Sequence, residues 1–187
     1  MSNLDEVKDW DPLVRTFHWA LVTAFAVAFL TEDDWLGLHV LAGYAVLGLV
    51  GVRLVWGLVG TRHARFGDFL HRPPVVLAYL RDVLRGRARR YLGHNPAGGA
   101  MIVALLAGLT LTSVTGLFAY GAAELAGPFA GTFGAGWADP LEEVHEVLAN
   151  LTLVLAGVHV AGVLASSLLH RENLVRAMIT GTKAREV

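Results

Sequence analysis

The chain has no cysteine among its 187 residues. This absence excludes disulfide bonds, thiolate metal sites, iron–sulfur clusters and covalent attachment of haem through thioether bonds. Charged residues are also scarce, at 17% against about 25% in an average soluble domain, whereas 55% of the residues are hydrophobic. The composition therefore indicates a chain that lies in lipid, and its length leaves no room for a large soluble enzyme domain beside the membrane part.

Four long apolar stretches are each long enough to cross a bilayer, which takes about 20 mostly apolar residues. The sequence therefore predicts an all-α integral membrane protein, a four-helix transmembrane bundle that forms a single domain over residues 1–187. No cationic segment of a cleavable signal peptide precedes the first stretch, which is expected to act as an uncleaved insertion signal. The predicted spans cover residues 13–31, 38–59, 97–121 and 141–169.

Basic residues are absent from two of the three connections between the predicted spans. Residues 32–37 and 122–140 contain neither Lys nor Arg, whereas residues 60–96 contain eight arginines. Because positive charge stays on the cytoplasmic side, both termini and the middle connection of this multi-pass protein are predicted to be cytoplasmic. Within that connection, residues 73–92 place apolar side chains at helical spacing beside arginines, which predicts an interfacial helix on the inner leaflet.

Acidic residues collect on the opposite, outer side, where no cation balances them. This surface is expected to carry a negative potential, which attracts cationic partners and repels anions. The residues are Glu32, Asp33, Asp34, Glu124, Asp139, Glu142, Glu143 and Glu146. Anionic lipid of the bilayer explains the arginine-rich middle connection, and the sequence contains no nucleic-acid motif, so no nucleic-acid partner is expected.

Four of the eight histidines lie within the predicted spans, where an ionisable side chain is costly and marks a candidate functional site. His145 and His159 are 14 residues apart on one helix, which returns them to nearly the same face with a rise of about 21 Å. His39 opens the second span at the outer level of His145, and His18 lies near the inner level of His159. The spacing therefore predicts two pairs, His39 with His145 and His18 with His159. The remaining histidines are interpreted as ordinary polar residues at the headgroup level: His63, His71, His94 and His170.

Two imidazoles that face each other at one depth of a helical bundle can hold a haem iron from both axial sides. Gly43, one turn after His39, leaves room for a flat macrocycle, although close helix packing explains a glycine there equally well. Arg53 is predicted near the inner pair, where it contacts a haem propionate or a quinone oxygen unless it extends to the headgroups. A proton path would need carboxylates deep in the spans, and a bare metal site would not divide its histidines between two depths.

Several short motifs resemble, in their order and spacing, the prokaryotic cytochrome b561 family, which includes the cytochrome b subunits of nickel–iron hydrogenases. They are residues 10–15 (WDPLVR), 17–19 (FHW), His39 with Gly43, 53–57 (RLVWG), 93–96 (GHNP), the pair His145 and His159, and 170–174 (HRENL). The resemblance covers nearly the whole chain and implies a four-helix membrane cytochrome with two b-type haems that exchanges electrons with quinone. The family's axial ligands correspond to His18, His39, His145 and His159.

The predicted function is transmembrane electron transfer between the quinone pool of a respiratory chain and a redox partner at the outer, periplasmic face. The acidic outer surface favours a cationic c-type cytochrome or a larger oxidoreductase of the hydrogenase type as this partner. Quinone is placed at the inner face, where Arg15, Arg53 and His94 could polarise its oxygens. The sequence leaves open whether the chain forms a homodimer.

Two alternative functions belong to other classes of protein. Some members of the family resemble superoxide oxidases, which would make the chain a quinone-linked enzyme that acts alone. Superoxide is an anion, and the acidic outer surface has the wrong sign of charge to attract it. A haem-free anchor or transporter is the other alternative, and it predicts a colourless protein.

Overall fold

Four long helices carry the apolar stretches of the sequence. The computed structural model describes residues 6–32 and 34–184, so that Asp33 of the acidic group lies outside the described residues. The four helices are long and apolar enough to cross a membrane, which confirms the predicted all-α fold with four spanning helices. They are α1 (Pro12–Leu30), α2 (Leu36–Val59), α5 (Pro96–Ala123) and α6 (Ala138–His170). The shorter elements are β1 (Glu6–Lys8), α3 (Phe66–Phe69), α4 (Pro73–Leu84), α7 (Leu174–Thr180) and β2 (Thr182–Ala184).

The first spanning helix begins at Pro12, directly after the N-cap residue Asp11. The carboxylate of Asp11 accepts a hydrogen bond from the backbone N–H of Val14 at 2.9 Å, and Pro12 occupies the first helical position, where no N–H is needed. The same carboxylate accepts hydrogen bonds from Trp56 Nε1 and from the Thr61 hydroxyl. Burial alone raises the pKa of Asp11, but these donated hydrogen bonds outweigh it and lower the pKa below its usual value.

The third spanning helix begins in the same way at Asn95 and Pro96. The side-chain oxygen of Asn95 accepts the backbone N–H of Gly98 at 2.8 Å, which satisfies one of the donors that a helix start leaves free. Pro96 again supplies the first helical residue. These two caps explain why both helices begin one residue earlier than their apolar stretches suggest.

The middle connection contains the predicted helix, but in a shorter form. Helix α4 ends at Leu84, so the expectation of a helix as far as residue 92 is wrong for residues 85–92. The chain turns at Gly86, which has φ of +68°, and the next backbone N–H, that of Arg87, donates to the Asp82 carbonyl at 2.9 Å. A glycine in this left-handed conformation ends a helix at little steric cost. The position of α4 at the inner leaflet stays a prediction.

The chain divides into two compact units. The first comprises residues 1–19, 52–103 and 157–187, and the second comprises residues 20–51 and 104–156. Each unit contains one of the two predicted histidine pairs. The prediction of one domain over residues 1–187 stays a prediction.

In the first unit, the two ends of the described chain are joined. Strands β1 and β2 pair antiparallel, with Val7 opposite Lys183. Lys183 and Asp9 form a buried ion pair with a 3.0 Å distance between Nζ and Oδ2, and Asp9 Oδ1 accepts the backbone N–H of Gly93 at 2.7 Å. The Gly181 carbonyl accepts the backbone N–H groups of Asp9 and Trp10. We call β1, β2 and the Asp9–Lys183 ion pair the terminal clasp; it also contacts the loop before α5 at Gly93.

His94 lies beside the terminal clasp and packs between aromatic rings. Its ring centroid is 4.4 Å from that of Trp10 and 4.7 Å from that of Phe69, and its Nδ1 is buried without a partner among the described residues. Burial lowers the pKa of His94 from 6.5 to about 3, with the positive charges of Arg53 and Lys183 acting in the same direction. His94 is thus neutral at physiological pH, and the interpretation as a headgroup-level residue does not describe its surroundings.

Acid is expected to destabilise the protein through His94. Below pH 6.5 the unfolded chain binds a proton that the folded chain excludes, so stability falls as the pH decreases from about 6.5 towards 3, by up to about 1.4 kcal/mol per pH unit. Thermal unfolding followed by tryptophan fluorescence should show a shallower loss of stability with acid for His94→Gln than for the parent. The exposed His71 offers a matched control, since His71→Gln should keep the parental slope. Equal slopes for all three proteins would contradict the assignment.

Candidate functional site

In the first unit, His18 on α1 and His159 on α6 face each other. Their ring centroids are 6.5 Å apart with an angle of 53° between the ring planes. His18 also contacts the ring of Trp19 edge-on, and its Nδ1 is buried without a hydrogen-bond partner among the described residues. The structure therefore brings this predicted pair together from two separate helices.

In the second unit, His39 on α2 and His145 on α6 form the other pair. Their ring centroids are 5.9 Å apart and their ring planes are perpendicular, at 90°. His39 Nδ1 lies 2.8 Å from the carbonyl oxygen of Ala28, and His145 Nδ1 lies 2.9 Å from that of Thr112. Because a carbonyl can only accept, Nδ1 carries the proton in both rings, and Nε2 of each neutral ring has a free lone pair. A free Nε2 lone pair is what metal ligation by histidine requires.

Three residues around His145 were missed by sequence reasoning: Gly116 and Thr112 on α5, and Thr152 on α6 itself. The ring of His145 lies directly against Gly116, where a Cβ atom would be 2.7 Å from Cε1 of the ring. One turn away, the Thr112 hydroxyl lies 3.1 Å from that of Thr152, which is 1% exposed. The Thr152 hydroxyl in turn donates to the Leu148 carbonyl at 2.8 Å. No sequence signal distinguished Gly116 from the other glycines of this apolar helix.

Gly43 faces open space in the second unit. A Cβ atom built there would meet no atom within 4 Å outside its own helical turn and its chain neighbours. Among the described residues no other helix packs closely against this position, so there is room beside it, and a flat ligand in that room stays a prediction. Gly43 lies one turn from His39, on the same helix.

Arg53 is enclosed by the segment that follows α2. Its side chain is buried, with the residue 3% exposed, and Nη1 donates to the Ala64 carbonyl at 3.0 Å. The guanidinium carbon lies 5.2 Å from the ring centroid of Phe66 and 5.9 Å from that of Phe69. The guanidinium is therefore enclosed by protein groups, and its assignment to a cofactor or to the headgroups stays a prediction.

Arg15 is held by the C-terminal part of the first unit. Its Nη2 donates a hydrogen bond to the carbonyl of Ile179, in the last turn of α7, where the helix dipole favours a cation. Its Nε is buried without a partner among the described residues. The Nη2 atom of Arg15 thus has a hydrogen-bond partner, whereas the buried Nε has none among the described residues.

The geometry of both histidine pairs fits axial ligation of a haem iron. With metal–nitrogen bonds of about 2.0–2.1 Å, two imidazoles on opposite sides of one metal have ring centroids about 6 Å apart. The measured separations of 5.9 and 6.5 Å agree with this arrangement. Within the described part of the chain, no group of three or more His, Asp or Glu side chains is placed to hold a metal ion by itself. A metal held in a macrocycle, which needs only two protein ligands, suits these pairs better.

Formal charge differs sharply between the two units. All 15 Lys and Arg residues belong to the first unit together with eight acidic residues, which gives a formal charge of +7. The other eight of the 16 acidic residues belong to the second unit, which has no Lys or Arg and a formal charge of −8. The His18–His159 pair therefore belongs to a basic unit and the His39–His145 pair to an acidic one.

The sequence is similar to proteins of a known family. The sequence profile of the family described as prokaryotic cytochrome b561 matches residues 9–181. Two curated relatives, from Azotobacter chroococcum mcd 1 and Azotobacter vinelandii, are each described as a probable Ni/Fe-hydrogenase B-type cytochrome subunit and are 30% identical over 159 residues. The match covers 76% of this chain and 65% of each relative, just under two thirds of their length. No solved structure gives a significant match.

Proposed function

This chain belongs to the prokaryotic cytochrome b561 family and is a multi-pass b-type membrane cytochrome, and from this premise we propose that it binds two haems and carries electrons across the bacterial inner membrane. The electrons pass between the quinone pool and a redox protein at the outer face. The observation that carries this proposal is the pairing of four span histidines at ring separations of 5.9 and 6.5 Å. Each pair would hold one haem through its two imidazole nitrogens.

The protein's own groups prepare these ligands before any cofactor binds. Haem bound at each pair would supply a one-electron couple. The carbonyls of Ala28 and Thr112 accept the Nδ1 protons of His39 and His145, which fixes the orientation and tautomer of both rings. The ligands lie on spanning helices whose side chains are mostly apolar, which would keep water away from a bound cofactor.

The quinone site of this proposal lies at the inner face, in the first unit. Arg15 Nε and His94 Nδ1 are both buried without partners among the described residues, and buried polar atoms are seldom left unsatisfied. A quinone oxygen is a hydrogen-bond acceptor of the kind that such groups could polarise. Arg53, the third residue assigned to this site, adds a buried positive charge in the same unit.

A cationic redox protein is the proposed partner at the outer face. The seven acidic residues of the outer group that the structure describes are all exposed, and within the described residues none of them forms an ion pair. Such a surface favours a basic c-type cytochrome or a basic docking face of a larger oxidoreductase. The description of the curated relatives as probable Ni/Fe-hydrogenase subunits supports the second kind of partner.

Electron exchange with a basic cytochrome c should therefore depend strongly on salt. We expect the rate at low ionic strength to fall by about tenfold or more at high salt, because salt screens the attraction between the two surfaces. Stopped-flow absorbance with the reduced protein measures this rate. Neutralising Glu142, Glu143 and Glu146 to Gln should slow the low-salt reaction, whereas the control Asp82→Asn, in the middle connection, should not. A salt-independent rate in the parent would contradict the proposed partner.

Haem reduction by superoxide tests the alternative function, a quinone-linked enzyme that oxidises superoxide. An acidic surface repels superoxide, so we expect slow haem reduction by superoxide that becomes faster as salt screens the repulsion. Rapid, salt-insensitive reduction by superoxide would favour the enzyme over the electron-transfer subunit.

A further inference from the structure

The two histidine pairs lie in surroundings that differ in charge. The formal charge is +7 for the unit that holds His18 and His159 and −8 for the unit that holds His39 and His145. Reduction by one electron lowers the charge of a redox site by one and neither forms nor breaks a bond. Positive surroundings therefore stabilise the reduced form of a site, and negative surroundings stabilise the oxidised form.

Arg53 is a buried cation of the first unit that can exert such an effect. It is 3% exposed, and its described contacts are the Ala64 carbonyl and the faces of two phenylalanine rings; the Asp11 carboxylate attracts it but forms no ion pair with it among the described residues. Lys183, by contrast, is neutralised by Asp9 at 3.0 Å. Both Arg53 and His159 act electrostatically on His94, so that the cation and the ligand lie within range of one common group. A buried charge is screened far less than an exposed one.

The hydrogen bonds of the ligands reinforce this difference. Both rings of the His39–His145 pair donate Nδ1–H to backbone carbonyls, at 2.8 and 2.9 Å. This bond makes an imidazole a more basic ligand, and a more basic ligand stabilises the oxidised metal. His18 has no such bond among the described residues, since its buried Nδ1 has no partner.

We propose that the His18–His159 site has the higher reduction potential of the two, and that the buried charge of Arg53 is a principal cause. The inference rests on the proposed function, because it assumes that each pair holds a haem. An electron supplied to a haem held by His39 and His145 would then pass downhill in free energy to a haem held by His18 and His159, so that the first iron is oxidised and the second reduced.

A potentiometric titration of the full chain in mild detergent tests the order of the two potentials. We expect two components in the visible absorbance of the parent. His145→Ala should retain the component of higher potential, and His18→Ala should retain the component of lower potential. The opposite assignment, or two equal potentials in the parent, would overturn the proposal. A parent protein with fewer than two haems would instead refute the proposed function, and this inference with it, before any potential is measured.

The role of Arg53 is tested by substitutions in the same titration. Arg53→Gln should lower the potential of the higher component and leave the lower one in place, whereas Arg53→Lys, which keeps the charge, should shift it less. As a matched control, Glu142→Gln removes a charge of the opposite sign from the second unit and should raise only the lower component. If Arg53→Gln shifts the potential of the lower component, or shifts neither potential, Arg53 does not determine the order of the two reduction potentials. If Arg53→Gln does not fold, His145→Ala and His18→Ala still test the order of the two potentials, because neither variant changes Arg53.

Discussion

Replacing His159 by alanine is expected to remove one haem and leave the other. His159 faces His18 with a ring separation of 6.5 Å, and the variant leaves that site with one axial nitrogen. Substituting a residue that only orients a metal ligand already weakens metal binding by about 10–100-fold. The loss of a ligand should therefore weaken haem binding by at least as much. Haem and iron per polypeptide, measured on purified protein, should fall from two to one. His170→Ala, at the end of the same helix, should keep two haems.

The pairing itself predicts which variants behave alike. His18→Ala and His159→Ala should lose the same spectral component, and His39→Ala and His145→Ala the other. The double variant of His18 and His159 should lose no more haem than either single variant, because both changes act on one site. If His18→Ala and His145→Ala removed the same component, the pairing would be wrong.

A single methyl group at Gly116 is expected to disrupt the other site. An added Cβ atom would lie 2.7 Å from Cε1 and 3.0 Å from Nδ1 of His145, closer than real Cβ contacts, so the ring must move. That movement breaks the 2.9 Å hydrogen bond from Nδ1 to the Thr112 carbonyl, which orients the ring. For Gly116→Ala we expect about 10–100-fold weaker binding at the His39–His145 site, or an altered electron paramagnetic resonance signal of that haem alone.

Gly48 provides the matched control for Gly116→Ala. It lies within α2, in the same unit, and an added Cβ atom would meet nothing within 4 Å. Alanine is favoured over glycine inside a helix by about 1 kcal/mol, so Gly48→Ala should be neutral or slightly stabilising and should keep both haems. If Gly116→Ala kept an unchanged spectrum and two haems, the contact between Gly116 and the His145 ring would not affect haem binding.

Much of the fold could be predicted because its signals are local in the sequence. The four spans are apolar stretches of the length that a bilayer requires. His145 and His159 belong to one helix, so their spacing alone places them on one face. Their partners then follow from the depth of His18 and His39, provided that the helices alternate in direction.

The surroundings of the histidines could not be predicted, because they depend on backbone groups and on helix rotation. Any residue offers a carbonyl, so nothing in the sequence indicated that Ala28 and Thr112 would accept the imidazole protons. Helix α5 contains several glycines in an apolar background, and only its rotation against α6 selects Gly116. Nothing in the sequence indicated that Arg53 would donate to the Ala64 carbonyl either, and its contact with a cofactor stays a prediction.

The terminal clasp and the end of α4 show two further limits of sequence reasoning. Asp9 and Lys183 are far apart in the chain, and strands of three residues carry no recognisable pattern. The helix predicted as far as residue 92 followed from apolar spacing, but Gly86 reverses the chain inside that pattern. A single residue with positive φ thus outweighs the periodicity around it.

The terminal clasp also constrains the order in which this protein is assembled. Strand β1 precedes the first span and β2 follows the last, so one strand leaves the ribosome long before its partner exists. The enclosure of His94 is therefore completed after the four spans have been synthesised. Nascent chains that stop short of β2 would leave Asp9 without its ion-pair partner and Trp10 without its hydrogen bond to Gly181, a difference by which proteases and chaperones could distinguish them from finished molecules.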